Sequence, residues 1–308
     1  MQHLKGFQYA NTLDLRMGYY NIRILPASQD MPPIVHKFGK FWYNYLPTGM
    51  CALVDISQAK VDDLLGDIKG IKTYIDNIII LGKDWFTKRM EQLMIIFGGL
   101  LAAGLKMNTP VCSFGLKEIP YLGYIITREG IKTDPKKLKG TMDIGWPSNT
   151  TKVRAIIVMV QYYRNMWPRW SHLLSTLIEA ARGPQGRTIF WNDALESSFK
   201  ELNCMISDDT LLSYPDWTIP FTVHTDDSDK QLGAVISLNK ESIALFSRIL
   251  IKPQRNHTTT EKEIIAIVEC LKQLRDIIFG YKIHVFSDHK NMVYAATWVN
   301  LKRWWAGN

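Results

Sequence analysis

A short acidic turn between two β-prone segments constrains the fold of this chain more than any other sequence feature. Residues 72–74 and 78–81 favour extended structure, and the polar pair Asp76 and Asn77 lies between them. This pattern predicts a β-hairpin whose turn carries Asp76 to the rim of a sheet. A lone aspartate in a turn is usually a solvated turn residue, so a catalytic role requires a carboxylate partner.

Asp14 is the candidate partner, because it too follows a strand-like segment, at residues 9–13. Two aspartates that meet at one edge of a sheet provide the hard oxygen ligands that divalent cations prefer. Asp14 and Asp76 therefore form the first candidate site.

Three more acids lie at the ends of predicted elements in the C-terminal part of the chain. Asp226 and Asp288 follow strands, and Glu263 lies in the first turns of a helix. Glu263 has an alternative role, since a capping box at residues 260–263 would turn it back to a backbone N–H. The same box fits residues 258–261, and that choice leaves Glu263 for metal. The predicted elements are strands at residues 221–226, 232–237, 243–247 and 282–286, and a helix at residues 258–279.

The rest of the chain alternates β structure with helices. The apolar segment at residues 93–105 is too short to span a bilayer, which favours a buried helix. The glycines and proline at residues 183–186 predict a linker. Helices are predicted at residues 54–68, 85–105, 134–182 and 192–207, and β structure at residues 22–46 and 110–131.

The charge balance favours an anionic partner such as nucleic acid, because the net charge is +8 and the pI is about 9.2. The segment from Arg128 to Arg169 contains nine basic residues and only three acidic ones. Aromatic residues from Trp146 to Trp170 are interleaved with them. Such a segment can bind phosphates and stack on bases, or it can be a solvated helix face over a buried aromatic seam. The sequence leaves both interpretations open.

The four cysteines are far apart and match no zinc-binding spacing. Isolated cysteines suit a reducing, intracellular setting, and the N-terminus has no signal-peptide pattern. We therefore expect an intracellular protein that is not secreted and has no membrane partner.

Taken together, these motifs resemble the reverse transcriptase–RNase H polyprotein of gypsy-type LTR retrotransposons, over nearly the whole chain. Each motif alone is weak, and their combined order and spacing are highly specific. The polymerase motifs are Thr12-Leu13-Asp14-Leu15, Leu46-Pro47-Thr48-Gly49, Tyr74-Ile75-Asp76-Asn77, Tyr121-Leu122-Gly123-Tyr124 and Gln161-Tyr162-Tyr163-Arg164. The RNase H motifs are Thr225-Asp226-Asp227, Leu232-Gly233-Ala234-Val235, Phe246-Ser247-Arg248, Thr260-Glu261-Lys262-Glu263 and Ser287-Asp288-His289.

The resemblance implies an α+β fold: a partial right-hand polymerase palm with a helical thumb, followed by a truncated RNase H-like mixed-sheet domain. The implied divisions are a palm with partial fingers at residues 1–133, thumb and connection helices at 134–215, and the RNase H-like domain at 216–308. The implied activities are RNA-directed DNA polymerase, which is a nucleotidyltransferase, and ribonuclease H, which is an endonuclease.

The resemblance also assigns site residues. Tyr19 and Asn77 match nucleotide-binding positions, and the alternative for Tyr19 is a core aromatic. The implied partners are an RNA–DNA hybrid or primer–template nucleic acid and deoxynucleoside triphosphates. The implied catalytic residues, which are also ligands for Mg²⁺ or Mn²⁺, are Asp14, Asp76, Asp226, Glu263 and Asp288. The implied primer-binding residues are Tyr121, Leu122, Gly123 and Tyr124.

Departures from the family pattern predict an impaired polymerase. Asn77 replaces the family's second aspartate, Val54 and Ser57 replace a proline and a phenylalanine, and Val111 replaces a lysine. Compared with the family, the chain also begins just before the first catalytic strand and ends before the fourth RNase H aspartate. We therefore expect a degenerate copy, truncated at both ends, whose RNase H site is the better preserved.

Three interpretations are compatible with the sequence: an active enzyme of reverse-transcriptase type, a non-catalytic nucleic-acid-binding remnant, and a pseudogene product that does not fold stably. Asn77 argues against full polymerase activity. The carboxylates Asp226, Glu263 and Asp288 leave hydrolysis open.

Overall fold

The computed structural model describes residues 6–16, 18–29, 33–82, 87–143, 145–208, 210–228 and 230–287. Contacts within the chain divide it into two compact units, Met1–Ile119 and Pro120–Asn308. Within the described residues, no helix has both the length and the apolar character needed to cross a bilayer.

The first unit is built on a four-stranded sheet that packs against two helices. Its strands are β1 (Tyr9–Asp14), β2 (Pro33–His36), β3 (Gly39–Trp42), β4 (Ile71–Tyr74), β5 (Asn77–Gly82) and β6 (Ser113–Leu116), and its helices are α1 (Leu53–Leu65) and α2 (Thr87–Ala102). The sheet has the strand order β4-β5-β1-β6, and β2 and β3 form a separate hairpin. The sheet and both helices contribute to one core, where Leu13, Ile78, Val61 and Ile96 are at most 1% exposed.

The helix α2 is only half buried, so the sequence-based prediction of a buried helix is wrong for one of its faces. Leu93, Ile96 and Leu100 pack into the core, whereas Met94 is 67% and Leu101 is 81% exposed. The segment is apolar all round, and periodicity therefore does not reveal which face is covered.

The second unit contains a helical cluster and two sheets. Its helices are α3 (Pro135–Met142), α4 (Thr150–Tyr162), α5 (Trp170–Ala180), α6 (Asp193–Ser207), α7 (Lys252–Arg255), α8 (Thr259–Gln273) and α9 (Arg275–Ile278). Its strands are β7 (Ile119–Tyr121), which crosses the boundary between the units, β8 (Tyr124–Ile126), β9 (Gly130–Thr133), β10 (Leu212–Ser213), β11 (Phe221–Asp227), β12 (Gln231–Leu238), β13 (Glu241–Ile249) and β14 (Ile283–Phe286).

Helices α4, α5 and α6 enclose a core around the fully buried Trp167. The helices α4 and α6 start at asparagine N-caps, because Asn149 accepts the Lys152 N–H at 3.0 Å and Asn192 accepts the Leu195 N–H at 2.9 Å. The glycine-rich break at residues 183–186 is a loop inside this cluster rather than a linker, since the Arg154 guanidinium donates to the Gly183 carbonyl.

The C-terminal sheet has the order β13-β12-β11-β14, in which β11 pairs antiparallel with β12 and parallel with β14. Helix α8 covers the sheet and buries Ala266 and Cys270 against Phe221 and Ile236. The four strands predicted from residue 221 onward are confirmed. The helix predicted at residues 258–279 is divided at Leu274 into α8 and α9.

Candidate functional site

The strongest candidate site is a cleft at one end of β1 and β5. These strands pair antiparallel with Asp14 opposite Asn77, and the Leu15 N–H donates to the Asp76 carbonyl at 2.8 Å. Asp14 and Asp76 both line a cleft of about 610 Å³, together with Arg16. Two acids that are distant in sequence therefore share one cavity.

The turn that carries Asp76 is held from outside the sheet. Ile75 has a left-handed φ of 58°, which is uncommon for a β-branched residue. The Ile75 N–H donates to the Gln58 side-chain oxygen at 2.6 Å, and the Gln58 amide donates to the Thr73 hydroxyl at 3.1 Å. Gln58 of α1 thus fixes the hairpin conformation that presents Asp76.

Asp14 is clamped at two points by Asn108, which lies between α2 and β6. The Asn108 backbone N–H donates to the Asp14 carbonyl at 2.8 Å, and its side-chain amide donates to Asp14 Oδ1 at 3.0 Å. The amide is neutral, so the clamp orients the carboxylate and leaves its charge uncompensated.

Asn77 interacts directly with Asp76, because its side-chain Nδ2 donates to Asp76 Oδ1 at 2.9 Å. An aspartate at position 77 has no such donor and would add a negative charge instead. Compared with an aspartate at this position, Asn77 therefore reduces the negative charge beside Asp76 and also donates to one Asp76 oxygen.

The donor chemistry of the cleft fits a divalent cation, since Asp14 and Asp76 each offer a carboxylate oxygen that accepts no hydrogen bond in the described part of the chain. The two negative charges of these carboxylates are fewer than two divalent cations would need for neutralisation. In the same part of the chain, no three His, Cys, Asp or Glu residues come together as a metal-binding group.

The predicted primer-binding segment is a tight hairpin between β7 and β8. Its turn residues Leu122 and Gly123 have positive φ values of 48° and 75°, which is the pattern of a type I′ turn. Two tyrosines hold this turn from α4 and its C-cap: the Tyr162 hydroxyl donates to the Leu122 carbonyl, and the Tyr163 hydroxyl donates to the Gly123 carbonyl.

Both tyrosines pack closely around the turn. A Cβ at Gly123 would lie 3.3 Å from atoms of Tyr162 and Tyr163, so glycine is required by space as well as by φ. The Tyr124 ring lies 5.2 Å from the Tyr163 ring. Burial, and then the neighbouring Tyr162, raise the pKa of Tyr124 to about 12. Burial likewise raises the pKa of Tyr163, which keeps its hydroxyl protonated as a donor.

Glu263 in the second turn of α8 is 1% exposed and accepts a hydrogen bond from the Thr225 hydroxyl of β11 at 2.9 Å. The capping box forms one turn earlier: Glu261 accepts the Thr258 N–H at 2.8 Å, and the Thr258 hydroxyl accepts the Glu261 N–H. Hydrogen bonds from Thr258 lower the pKa of Glu261. The alternative box at residues 260–263 is therefore wrong, and Glu263 points to the strand that contains Asp226.

Three predicted site residues have incomplete descriptions. Asp226 lies in β11, next to Thr225, but its side chain is outside the described residues. Asp288 follows β14, beyond the last described residue, Ser287. Tyr19 lies in a 3₁₀ turn at Gly18–Asn21, and its side chain also lies outside the described part. Their site roles stay predictions.

Comparison with known proteins finds relatives over nearly the whole chain. Residues 191–285 match the family described as the RNase H-like domain found in reverse transcriptase. The Retrovirus-related Pol polyprotein from transposon gypsy of Drosophila melanogaster is 28% identical over 99% of this chain and 31% of its own length. The corresponding polyprotein from transposon opus of the same organism is 30% identical over 98% of this chain and 32% of its own length. The chain is homologous to part of each of these two Pol polyproteins.

The chain spans about a third of the length of these curated relatives. Its fold matches a structure of the foamy viral protease-reverse transcriptase in complex with RNA/DNA hybrid, with a TM-score of 0.82 and 22% identity over 92% of this chain and 39% of that one. A second such structure, in complex with ds DNA, gives a TM-score of 0.84 and 22% identity over 94% of this chain and 52% of that one. The fold expected from the sequence, a polymerase palm with an RNase H-like domain, is thereby confirmed.

The basic segment from Arg128 to Arg169 has exposed basic side chains and buried aromatic ones. Lys136, Lys152 and Arg164 are exposed, as an anion-binding face requires. In contrast, Tyr163 is 2% and Trp167 is 0% exposed, so these aromatics form the buried seam.

Sequence reasoning missed three residues that position the acids: Gln58, Asn108 and Thr225. Each is a polar side chain that acts across a long sequence separation, for example the 94 positions between Asn108 and Asp14. No local pattern marks such a residue. For Asn108 alone the sequence offers a weak signal, because a polar residue follows Met107 where the chain leaves α2 for β6.

Proposed function

We propose that this chain is the reverse transcriptase and RNase H part of a retrotransposon polyprotein, with a weakened polymerase site. The observation that carries the proposal is the pairing of β1 with β5, which brings Asp14 and Asp76 into one cleft. The proposed divisions are the palm with partial fingers at residues 1–133, the thumb and connection helices at 134–215, and the RNase H-like domain at 216–308. The TM-scores to the foamy viral structures support a shared fold.

In the palm, Asp14 and Asp76 would hold Mg²⁺ or Mn²⁺ through carboxylate oxygens. When bound, the cation supplies charge neutralisation for the oxygens of a deoxynucleoside triphosphate and of a primer 3′-hydroxyl. Asn108 orients Asp14, and Gln58 orients the turn that carries Asp76. Positioning of this kind accounts for much of the catalysis of phosphoryl transfer.

Asn77 is the reason to propose weak polymerase activity. The site has one negative charge fewer than an aspartate pair in the turn would give, so its attraction for cations is lower. The Asn77 amide also competes for one oxygen of Asp76.

In the RNase H-like domain, Asp226, Glu263 and Asp288 would form the metal-binding carboxylates. The Thr225 hydroxyl supports this proposal, because it fixes Glu263 against the strand that contains Asp226. The parallel pairing of β11 and β14 supports it further, since both strands then end at the same edge of the sheet. The substrate class would be the RNA strand of an RNA–DNA hybrid.

A non-catalytic nucleic-acid-binding role is the second candidate. It is favoured by the hydrogen bond between Asn77 and Asp76, together with exposed basic side chains such as Lys136 and Arg164. Affinity for a primer–template duplex should then fall steeply with salt, because bound phosphates release counterions. Binding that barely changes between low and physiological salt would refute this second candidate.

Primer extension separates the two candidates. The purified chain is incubated with a labelled DNA primer on an RNA template, deoxynucleoside triphosphates and Mg²⁺ or Mn²⁺. The proposal predicts weak extension that Asp14→Asn abolishes and that Asp63→Asn, a matched change of an exposed aspartate in α1, leaves intact. Extension that survives Asp14→Asn would show that the cleft is not the polymerase site.

A further inference from the structure

Helix α2 buries one side in the core and leaves the other side exposed and apolar. Met94 is 67%, Ile95 is 60% and Leu101 is 81% exposed. Residues three or four positions apart lie on the same side of a helix, so the exposed residues of α2 form one continuous surface. That surface, which we call the α2 face, consists of Met90, Met94, Ile95, Gly98, Leu101 and Ala102.

The sequence that carries most of the α2 face is free of charge. Residues 92–105 contain no aspartate, glutamate, lysine or arginine. The chain as a whole has a net charge of +8, so two copies repel one another over much of their surfaces. Two α2 faces can meet without that repulsion, whereas a phosphate-rich ligand finds no cation on these residues.

Two glycines inside α2 are not explained by the packing of a single copy. Glycine destabilises a helix interior relative to alanine. A Cβ atom built at Gly98 or Gly99 meets no atom from another part of the described chain within 4 Å. Space within one copy therefore does not require glycine at either position. A second helix that crosses α2 at Gly98 gains from the missing side chain, because the distance between packed helices depends on the side chains at the contact.

The size of the α2 face suits a dimer contact. Its four large side chains are each between 46% and 81% exposed, which leaves on the order of 500 Å² of apolar surface per copy. A symmetric contact would bury about 1,000 Å², which is near the least that specific interfaces bury. We therefore expect an association of modest strength, with a dissociation constant in the micromolar range.

We propose that two copies of this chain pair through their α2 faces, with the helices antiparallel and crossing at Gly98. A two-fold axis at Gly98 places Ile95 of one copy against Leu101 of the second copy, because both lie three residues from the glycine. It likewise places Met94 against Ala102 of the second copy, four residues from the glycine, so a large side chain meets a small one. The pairing uses neither catalytic site.

The charges at the two ends of the α2 face fit the antiparallel direction. Glu91 is exposed near the start of the helix, and Lys106 is exposed just beyond its end. In an antiparallel pair the Glu91 carboxylate of each copy lies on the side of Lys106 of the second copy. The helix dipoles also oppose one another in this arrangement, which favours it over a parallel pair.

A lipid surface is a poorer occupant of the α2 face. Helices that lie on membranes carry lysines and arginines beside their apolar face. Residues 92–105 have neither, and the opposite side of α2 packs into the protein core through Leu93, Ile96 and Leu100.

Sedimentation velocity over a range of concentrations tests the pairing, in EDTA and without nucleic acid, so that neither proposed activity contributes. The parent should show a concentration-dependent dimer. Ile95→Lys should weaken it about tenfold or more, because the contact would bury an unpaired charge. The matched control is Val158→Lys, which changes a β-branched residue that is 65% exposed in α4 and should sediment like the parent.

Mixing two variants tests the antiparallel register. Leu101→Glu alone should also weaken the dimer about tenfold or more. When Ile95→Lys and Leu101→Glu are mixed, the lysine of one copy meets the glutamate of the other, and a mixed dimer should form at least as tightly as the parent dimer. A parallel pair would bring each position against itself and would give no such restoration. Failure of the two folded variants to restore a dimer overturns the proposal.

Gly98→Leu separates a specific helix pair from general stickiness. Leucine adds apolar surface and helix propensity, so the folded monomer should melt no lower than the parent. It also blocks the close approach, so the dimer should weaken, and a stronger dimer in this variant overturns the proposal. A parent that stays monomeric at about 100 µM overturns it as well, and flotation of that monomer with phosphatidylcholine vesicles would assign the α2 face to a lipid surface instead.

Discussion

Replacing Tyr163 by phenylalanine removes one hydroxyl from the turn at Leu122 and Gly123 and leaves the buried ring in place. The hydroxyl donates to the Gly123 carbonyl, which also accepts the Asp134 N–H at 3.3 Å. The carbonyl keeps that second donor, so the expected cost is the net value of one hydrogen bond, about 1 kcal/mol. Tyr162→Phe should cost less, because Tyr162 is 53% exposed and water can replace its hydroxyl at the Leu122 carbonyl.

Hydrogen exchange of a peptide covering residues 119–126 measures this cost locally. One kcal/mol of lost local stability corresponds to about fivefold faster exchange in that segment. Tyr281→Phe is the control, since its ring packs on Trp217 and Phe221, away from the turn. Exchange at parent rates in Tyr163→Phe, with Tyr281→Phe also unchanged, would show that the hydroxyl does not hold the turn.

Three further predictions concern titration, thiol reactivity and the Asn77 substitution. The buried phenols should destabilise the fold at alkaline pH: the unfolded pKa is about 10 and the pKa of folded Tyr124 is about 12, so stability present below pH 10 is lost as the pH rises towards 12. At pH 10.5 the folded parent and folded Tyr124→Phe should therefore show the same phenolate absorbance at 295 nm, because the Tyr124 hydroxyl is still protonated. The exposed Cys51 and Cys204 should react with a thiol reagent at pH 8 within the mixing time. The buried Cys270 should react only when the protein unfolds, because burial raises its pKa to about 12. Labelling followed by peptide mass spectrometry distinguishes the three thiols. Asn77→Asp alone should not restore robust primer extension, because Val54, Ser57 and Val111 still depart from the family pattern; extension at a rate typical of polymerases in that variant would contradict this.

Much of the fold could be predicted from local patterns. The alternating residues around Asp76 predict a hairpin, and the structure has β4 and β5 there. The strand-like segments predicted from residue 221 onward likewise correspond to β11 to β14 of the structure. These elements follow the sequence because side-chain periodicity decides which face of a strand is buried.

The contacts that complete the candidate site could not be predicted in the same way. The pairing of Asp14 with Asn77 depends on the register between β1 and β5, and the sequence alone does not determine that register. Asn108, Gln58 and Thr225 act through hydrogen bonds between distant segments, and such bonds leave no local pattern. The resemblance assigns residues 121–124 to a primer-binding segment, whereas its type I′ turn and the two tyrosine hydroxyls that hold it became visible only in the structure.

Cleavage of the RNA strand in an RNA–DNA hybrid tests the central claim most directly. The purified chain is incubated with a hybrid carrying labelled RNA, at several concentrations of Mg²⁺ or Mn²⁺. The account predicts slow, metal-dependent cleavage that Asp226→Asn abolishes, whereas Asp276→Asn, an exposed aspartate of α9, cleaves like the parent. If the folded chain gives no cleavage at high metal concentration, the RNase H part of the proposal is wrong, and if Asp226→Asn cleaves as well as the parent, the site assignment is wrong.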